Sequence, residues 1–299
     1  MDQNNILTRV NVIDQQELKA VLLAGNYPVC TGSGTFLIDG IESVEATENC
    51  HVIAKSRSCV KAYGTSRVSA QGKSLVIAND HSSILACDTS KVLARNNSEV
   101  TACNCSIVAA SGDARVVSWD KSQVTLIENS HGIAWENSQV VTHDSASVTA
   151  FGSVHVTAHD NSSVTGWETS CVTLNEHSTA VTWDKCSAIA KDDSYVTSNG
   201  TSYILLRDSS QASAFGESEV LAWDKSQVIA WDNTIILARG NSRVTAQKNS
   251  HVTAWDNSRV IAKDNSRVIA WENSFVTAAD NSQVNGIGLP GVYNNKQES

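Results

Sequence analysis

The sequence has no apolar run of 18 residues, the least that would point to a membrane-crossing helix. Its opening, MDQNNILTRVNVIDQQELKAV, lacks the basic start and apolar core of a secretory signal. A cytoplasmic protein, or one exported without a leader, is therefore expected. Positive charge is scarce: 22 Lys plus Arg stand against 31 Asp plus Glu, a net charge of −9. Direct nucleic-acid binding and docking on anionic membranes both need a cationic surface, so neither is expected. The cysteines Cys30, Cys50, Cys59, Cys87, Cys103, Cys105, Cys171 and Cys186 show none of the paired short spacings of a zinc site. In a reducing compartment they read as free thiols.

What the sequence does have is a period of eight residues, held from Val44 to Val284 through 31 repeats without insertion or deletion. The consensus is Asn, Ser, any, Val, Thr or Ile, Ala, any, Asp or Gly; its positions are numbered here as places one to eight. Place four is Val or Ile in 27 of the 31 repeats and place six is Ala in 22, which makes both candidates for one buried face. Place two is Ser in 24 of the 29 repeats from Ser58 to Ser282. Places two, four and six alternate with variable places three and five, the period-two pattern of a strand with one face inward. Places eight and one carry turn chemistry, with Gly and Asn suited to positive φ and Asp suited to bonding amides two residues on. Each octapeptide is therefore one short strand and one reversal. Ser hydroxyls are expected to satisfy one another inside, and Gly132, Ala180, Ala188 and Ala212 at place four are expected thin spots.

The number of strands per coil follows from place seven, which holds all eight Trp. Trp119, Trp135, Phe151, Trp167 and Trp183 recur every sixteen residues, while Ile127, His143, His159 and Asn175 between them are never aromatic. A coil of 24 residues would mix the two sets, whereas a coil of 16 stacks each on its own edge. The expected fold is all-β: a two-sheeted parallel β-solenoid, or β-helix, of 16-residue coils with two strands per coil. At about 4.8 Å per rung, roughly fifteen coils give a rod about 70 Å long. Residues 41–288 form the solenoid. Residues 1–40 form an N-terminal cap with one short helix, read from the Asp14 N-cap, Glu17 three places on and the Gly25 stop. Residues 289–299 form a tail in which Pro290 breaks the pattern.

Several surface columns are candidate sites. Trp119, Trp135, Phe151, Trp167 and Trp183 make an apolar stripe that could hold a sugar, a protein partner or a second copy, or could simply seal the corner of a thin coil. Trp223, Trp255 and Trp271 are sparser on the other edge. Glu128, Asp144, Asp160, Glu176, Asp192, Asp208 and Asp224 fall on successive coils at place eight, where Asx-turns are expected to occupy the carboxylates. The Gly-rich nonapeptide of calcium-binding β-rolls is missing. His143 and His159 share an edge place one coil apart, as do Cys87 and Cys103. For the two His, two ligands are not a site without a third, so exposed, unliganded His is expected. No nucleophile, base and orienting group stand out together, and the repeat admits no inserted loop from which to build a pocket. No enzyme activity and no cofactor are expected.

Blocks such as AWDNSRVIA (254–262) and AHDNSSVTG (158–166) resemble the central repeats of bacterial ice nucleation proteins, and the resemblance covers residues 42–288. It implies paired octapeptides in 16-residue coils. It also implies a water-ordering face of Thr at places three and five, which Thr149, Thr157, Thr165 and Thr173 match at place five. Place three here is mostly Gln, Arg, His or Ser. By the same resemblance, Arg239, Arg243, Arg259 and Arg267 near the C-terminus correspond to coils tied to self-assembly. The leading functional expectation is a non-enzymatic structural or binding rod that self-associates or meets a protein or glycan partner. The alternatives are an ice-binding or ice-nucleating protein, and an acidic decoy for a nucleic-acid-binding protein.

Overall fold

The computed structural model describes residues 8–271, 273–287 and 292–294. The chain divides into two compact units, Met1–Val141 with Ser145–Ser147, and Thr142–Asp144 with Val148–Ser299. Both are built on one rule. A four-residue strand at places three to six is followed by a four-residue turn, and each strand pairs in parallel with the strand sixteen residues on. In the first unit Val44 lies beside Val60 and Ala46 beside Ala62. In the second, Val156 lies beside Val172 and Thr157 beside Thr173. Alternate strands therefore fall into two parallel sheets, the β-solenoid with 16-residue coils that the aromatic spacing predicts.

The interior is small because its residues are small. Places two, four and six are buried almost throughout, with Ser, Val and Ala pointing inward, while places three and five face out. The Ser at place two does not chiefly bond to other Ser. Its hydroxyl donates to the place-seven carbonyl three residues back, as from Ser178 to Asn175 at 2.7 Å and from Ser218 to Phe215 at 2.7 Å. Ser-to-Ser bonds form where place six is also polar, as between Ser198 and Ser218 at 2.9 Å. Six successive hydroxyls, from Ser66 to Ser106, have no partner within bonding geometry.

Two of the four positions expected to be thin are matched by larger neighbours. Ala180 and Ala212 at place four each follow, by six residues, a Leu at place six, Leu174 and Leu206, and both leucines are fully buried. Place six and the next place four flank the same turn on facing sheets, so a large side chain on one side stands where the other is small.

At place eight the backbone turns left-handed. Among the described residues, all 22 non-glycine residues with positive φ sit there, at 53° to 63°, most of them Asp or Glu. That conformation costs an L-residue roughly 1–2 kcal/mol. The carboxylate does not bond two residues on, as an Asx-turn would. It accepts instead from the backbone N–H at place eight of the preceding coil: Gly64 donates to Asp80 Oδ2 at 3.1 Å, Asp144 to Asp160 at 3.0 Å and Glu176 to Asp192 at 3.0 Å. The place-one N–H meanwhile donates to the carbonyl of that same preceding residue, as Lys121 does to Asn104 at 2.9 Å. The ladder therefore continues around the corner instead of ending with the strand.

The first unit begins with β1 (Arg9–Val12), α1 (Gln15–Leu23), β2 (Tyr27–Cys30) and β3 (Thr35–Gly40). The register of the repeat extends into this segment: β1 pairs with β2, and β3 pairs with His51–Ser56, setting Phe36 beside Val52 and Ile38 beside Ala54. The helix is capped as expected, with Asp14 Oδ1 accepting from the N–H groups of Gln16 at 2.8 Å and Glu17 at 2.9 Å. Leu18 is its buried anchor. Gln15 then closes the outer edge of β3: its amide donates to Leu37 O at 2.9 Å, and its carbonyl accepts from Leu37 N at 2.7 Å. One side chain thus satisfies both groups that an added strand would use. Of the tail, only the strand Val292–Asn294, paired beside Val276–Ala278, is among the described residues; Pro290 lies outside them.

Candidate functional site

Because every coil repeats the last, each outward place becomes a column one rung apart. In the first unit Trp119 and Trp135 stack with ring centroids 5.2 Å apart and planes 6° from parallel. In the second, Phe151 stacks on Trp167 at 6.3 Å, and Trp167 on Trp183 at 5.2 Å. Phe215 and Trp231 form a further pair at 6.2 Å. These rings lie like plates in a pile, so each covers the face of its neighbour. A sugar-binding platform needs open ring faces, and within these stacks the faces are already occupied. Trp119 and Trp183 nonetheless remain 37% exposed.

On the other edge of the second unit, cations interleave with rings. The Arg239 guanidinium lies 4.3 Å from the Trp255 ring centroid and 5.7 Å from that of Trp223, and Arg207 lies 5.7 Å from the far side of Trp223. Arg239 is thereby engaged within its own chain. Arg243 and Arg259 are adjacent in one sheet and, with Lys225 and Phe275, line a groove of about 600 Å³. Arg267 belongs to the other sheet, beside His251. The four arginines are therefore spread over three surfaces and form no single cluster. The threonines divide likewise. Thr157 and Thr173 are neighbours in one sheet, whereas Thr149 and Thr165 belong to the other. Neither face carries a continuous threonine array.

The acidic column is tied to the backbone. The Asp144 N–H, and next the His143 imidazole 3.6 Å away, hold the Asp160 carboxyl below its usual range. Asp232 is lowered chiefly by its bond to Lys248 Nζ at 2.6 Å. A carboxylate whose folded pKa lies below its unfolded value binds protons less readily when folded. Its contribution is complete above the unfolded value of about 3.9 and disappears as pH falls through the folded value. Calorimetric melting temperatures are accordingly expected to hold steady from pH 7 to about 5 and to drop below about pH 4. A melting temperature flat down to pH 2 would show that these bonds add no stability.

His143 and His159 stack at 4.9 Å, but among the described residues no group of three or more His, Cys, Asp or Glu could hold a metal ion. No described helix is long and apolar enough to cross a membrane. At the N-terminal end, Glu45 is nearly buried and paired with Arg9, and burial, followed by the Glu45 charge, pushes Tyr27 up to about 12.

One surface was missed in the sequence. In the second unit, place five of one sheet carries Ile189, Leu205, Leu221 and Leu237 on four successive rungs, in direct register. Tyr203 and Ile235 at place three flank them, 43% and 53% exposed. The signal was present at a spacing of sixteen, but place five read along the chain alternates between sheets, and the other sheet interposes Thr197 and Ser213. Comparison with protein-family models, curated proteins and solved structures returns no match. The class is thus defined by the architecture alone, a two-sheeted parallel β-solenoid of octapeptide repeats.

Proposed function

We propose that this chain is a non-catalytic solenoid scaffold that self-associates through a sheet face, a second copy covering the Ile189–Leu237 column. The observation that carries this reading is the apolar column itself, four aliphatic side chains on consecutive rungs at an outward-facing place of one sheet. The four-residue turns supply area and repetition and leave no loop to shape a catalytic cleft. Four rungs span roughly 15–20 Å, short of the roughly 800 Å² per partner of a standard interface. Association is therefore weak and rises with concentration. Two copies of net charge −9 repel, so added salt strengthens the contact, the opposite of an interface made by ion pairs.

Sedimentation equilibrium tests this. The native chain is expected to exceed its 32.0 kDa monomer mass as concentration and salt rise, and Leu221→Lys is expected to hold it at the monomer. A native monomer at every concentration, or an unchanged association in Leu221→Lys, would refute the proposal. An ice-binding role has less support, because the threonines at 149, 157, 165 and 173 are divided between two faces.

A further inference from the structure

Cys87 and Cys103 occupy place seven on consecutive coils of the first unit. Their strands run in register, with Ala86 beside Ala102, and the Cys103 N–H donates to Ala86 O at 2.8 Å. Both thiols are half-exposed. Farther along the same column, Trp119 and Trp135 show that equivalent place-seven side chains project parallel, one rung apart. That translation is poorly matched to a disulfide, whose Cβ atoms sit about 3.5–4.5 Å apart, because neighbouring rungs repeat at about 4.8 Å. It matches something else. With metal–thiolate bonds of about 2.3 Å, an ion held in line between two sulfurs places them about 4.6 Å apart.

We propose that Cys87 and Cys103 form a two-coordinate site for a soft monovalent cation, with copper(I) as the representative ion. Ions that require four or more ligands have no such set here, since no group of three or more metal-ligating side chains is found among the described residues. A d¹⁰ cation that prefers thiolate is satisfied by two. Binding exchanges protons for metal: two thiols and one Cu⁺ give a bis-thiolate complex of charge −1 and two H⁺, with no change of oxidation state. Cys30, Cys50 and Cys186 are buried and closed to an ion arriving from solvent.

The test is an anaerobic titration of the reduced full-length chain with copper(I) against a chromogenic chelator, with intrinsic tryptophan fluorescence of the native chain and of Trp119→Phe as a second readout. One tightly held ion per chain, uptake that strengthens as pH rises, and quenching that is smaller in Trp119→Phe are expected. Losing one of two ligands should weaken binding by at least about 100-fold, since even the loss of a partner that only orients a ligand costs about 10–100-fold. Cys87→Ser and Cys103→Ser should both show that loss while keeping the native circular dichroism spectrum, and Cys105→Ser and Cys59→Ser should bind as the native chain does. Unchanged binding in Cys87→Ser, or equal loss in Cys105→Ser, would overturn the assignment. So would conversion of the pair to a disulfide in place of metal uptake.

Discussion

Leu174→Ala is expected to destabilise the second unit by about 2–5 kcal/mol, and adding Ala180→Val is expected to restore most of that loss. Leu174 is fully buried at place six, and Ala180 follows it across one turn at place four, 3% exposed. Truncating the leucine leaves a space that a thin, close-packed interior cannot collapse to fill. Ala180→Val alone should also destabilise, by about 1–3 kcal/mol, because its methyl groups meet an intact Leu174. Two single changes that each destabilise and together nearly cancel are the signature of shared volume, and the double-mutant cycle isolates it. Melting midpoints of the four proteins by circular dichroism measure the coupling. Strict additivity would mean that the two side chains do not share a space, and that the six-residue offset in Leu174 and Ala180, and in Leu206 and Ala212, is coincidental.

That offset shows how the sequence can be legible yet misread. Ala180 looks like a weak position when place four is read alone, because the compensating leucine belongs to a different place in the previous strand. The number of strands per coil was readable from Trp119, Trp135, Trp167 and Trp183, since aromatic rings are rare enough here for a sixteen-residue interval to stand out. The bonding of the acidic edge was not. An Asp beside an Asn reads locally as an Asx-turn, and nothing in the octapeptide reveals that the amide which Asp160 accepts belongs to Asp144, sixteen residues earlier. The start of the solenoid was hidden for a related reason. Phe36 and Ile38 take the inward places of Val and Ala, and at the first rungs of a sheet that helix α1 covers, the size limits of the repeat interior do not apply. The closure of β3 by Gln15 depends on one amide meeting one backbone residue, a contact that no periodicity encodes. The apolar column at Leu205, Leu221 and Leu237 emerges only when alternate repeats are separated, which requires the two-strand coil first.

A sharper test of that coil comes from moving one charge by one residue. Val196 at place four is fully buried between Ala180 and Ala212, whereas Thr197 at place five faces outward. Val196→Asp places a carboxyl at a position that is fully buried, facing an interior of Ala, Val and Ser side chains. The group must either stay protonated with its pKa raised by burial, or draw the coil open to solvent. A loss above about 4 kcal/mol is expected, in the range reserved for buried unpaired charge. Thr197→Asp should change stability by about 0.5 kcal/mol or less. Because each coil rests only on its neighbours, the damage should also be local. Hydrogen exchange is expected to lose protection first in Thr179–Thr182, Tyr195–Ser198 and Gln211–Ala214, while strands of the first unit such as Lys91–Ala94 stay protected. Low pH should soften the Val196→Asp defect, since protonation removes the charge though not the buried hydroxyl. Equal effects at positions 196 and 197 would mean that the alternation of inward and outward places fails there, and the parallel register of Val196 with Ala180 and Ala212 would have to be abandoned.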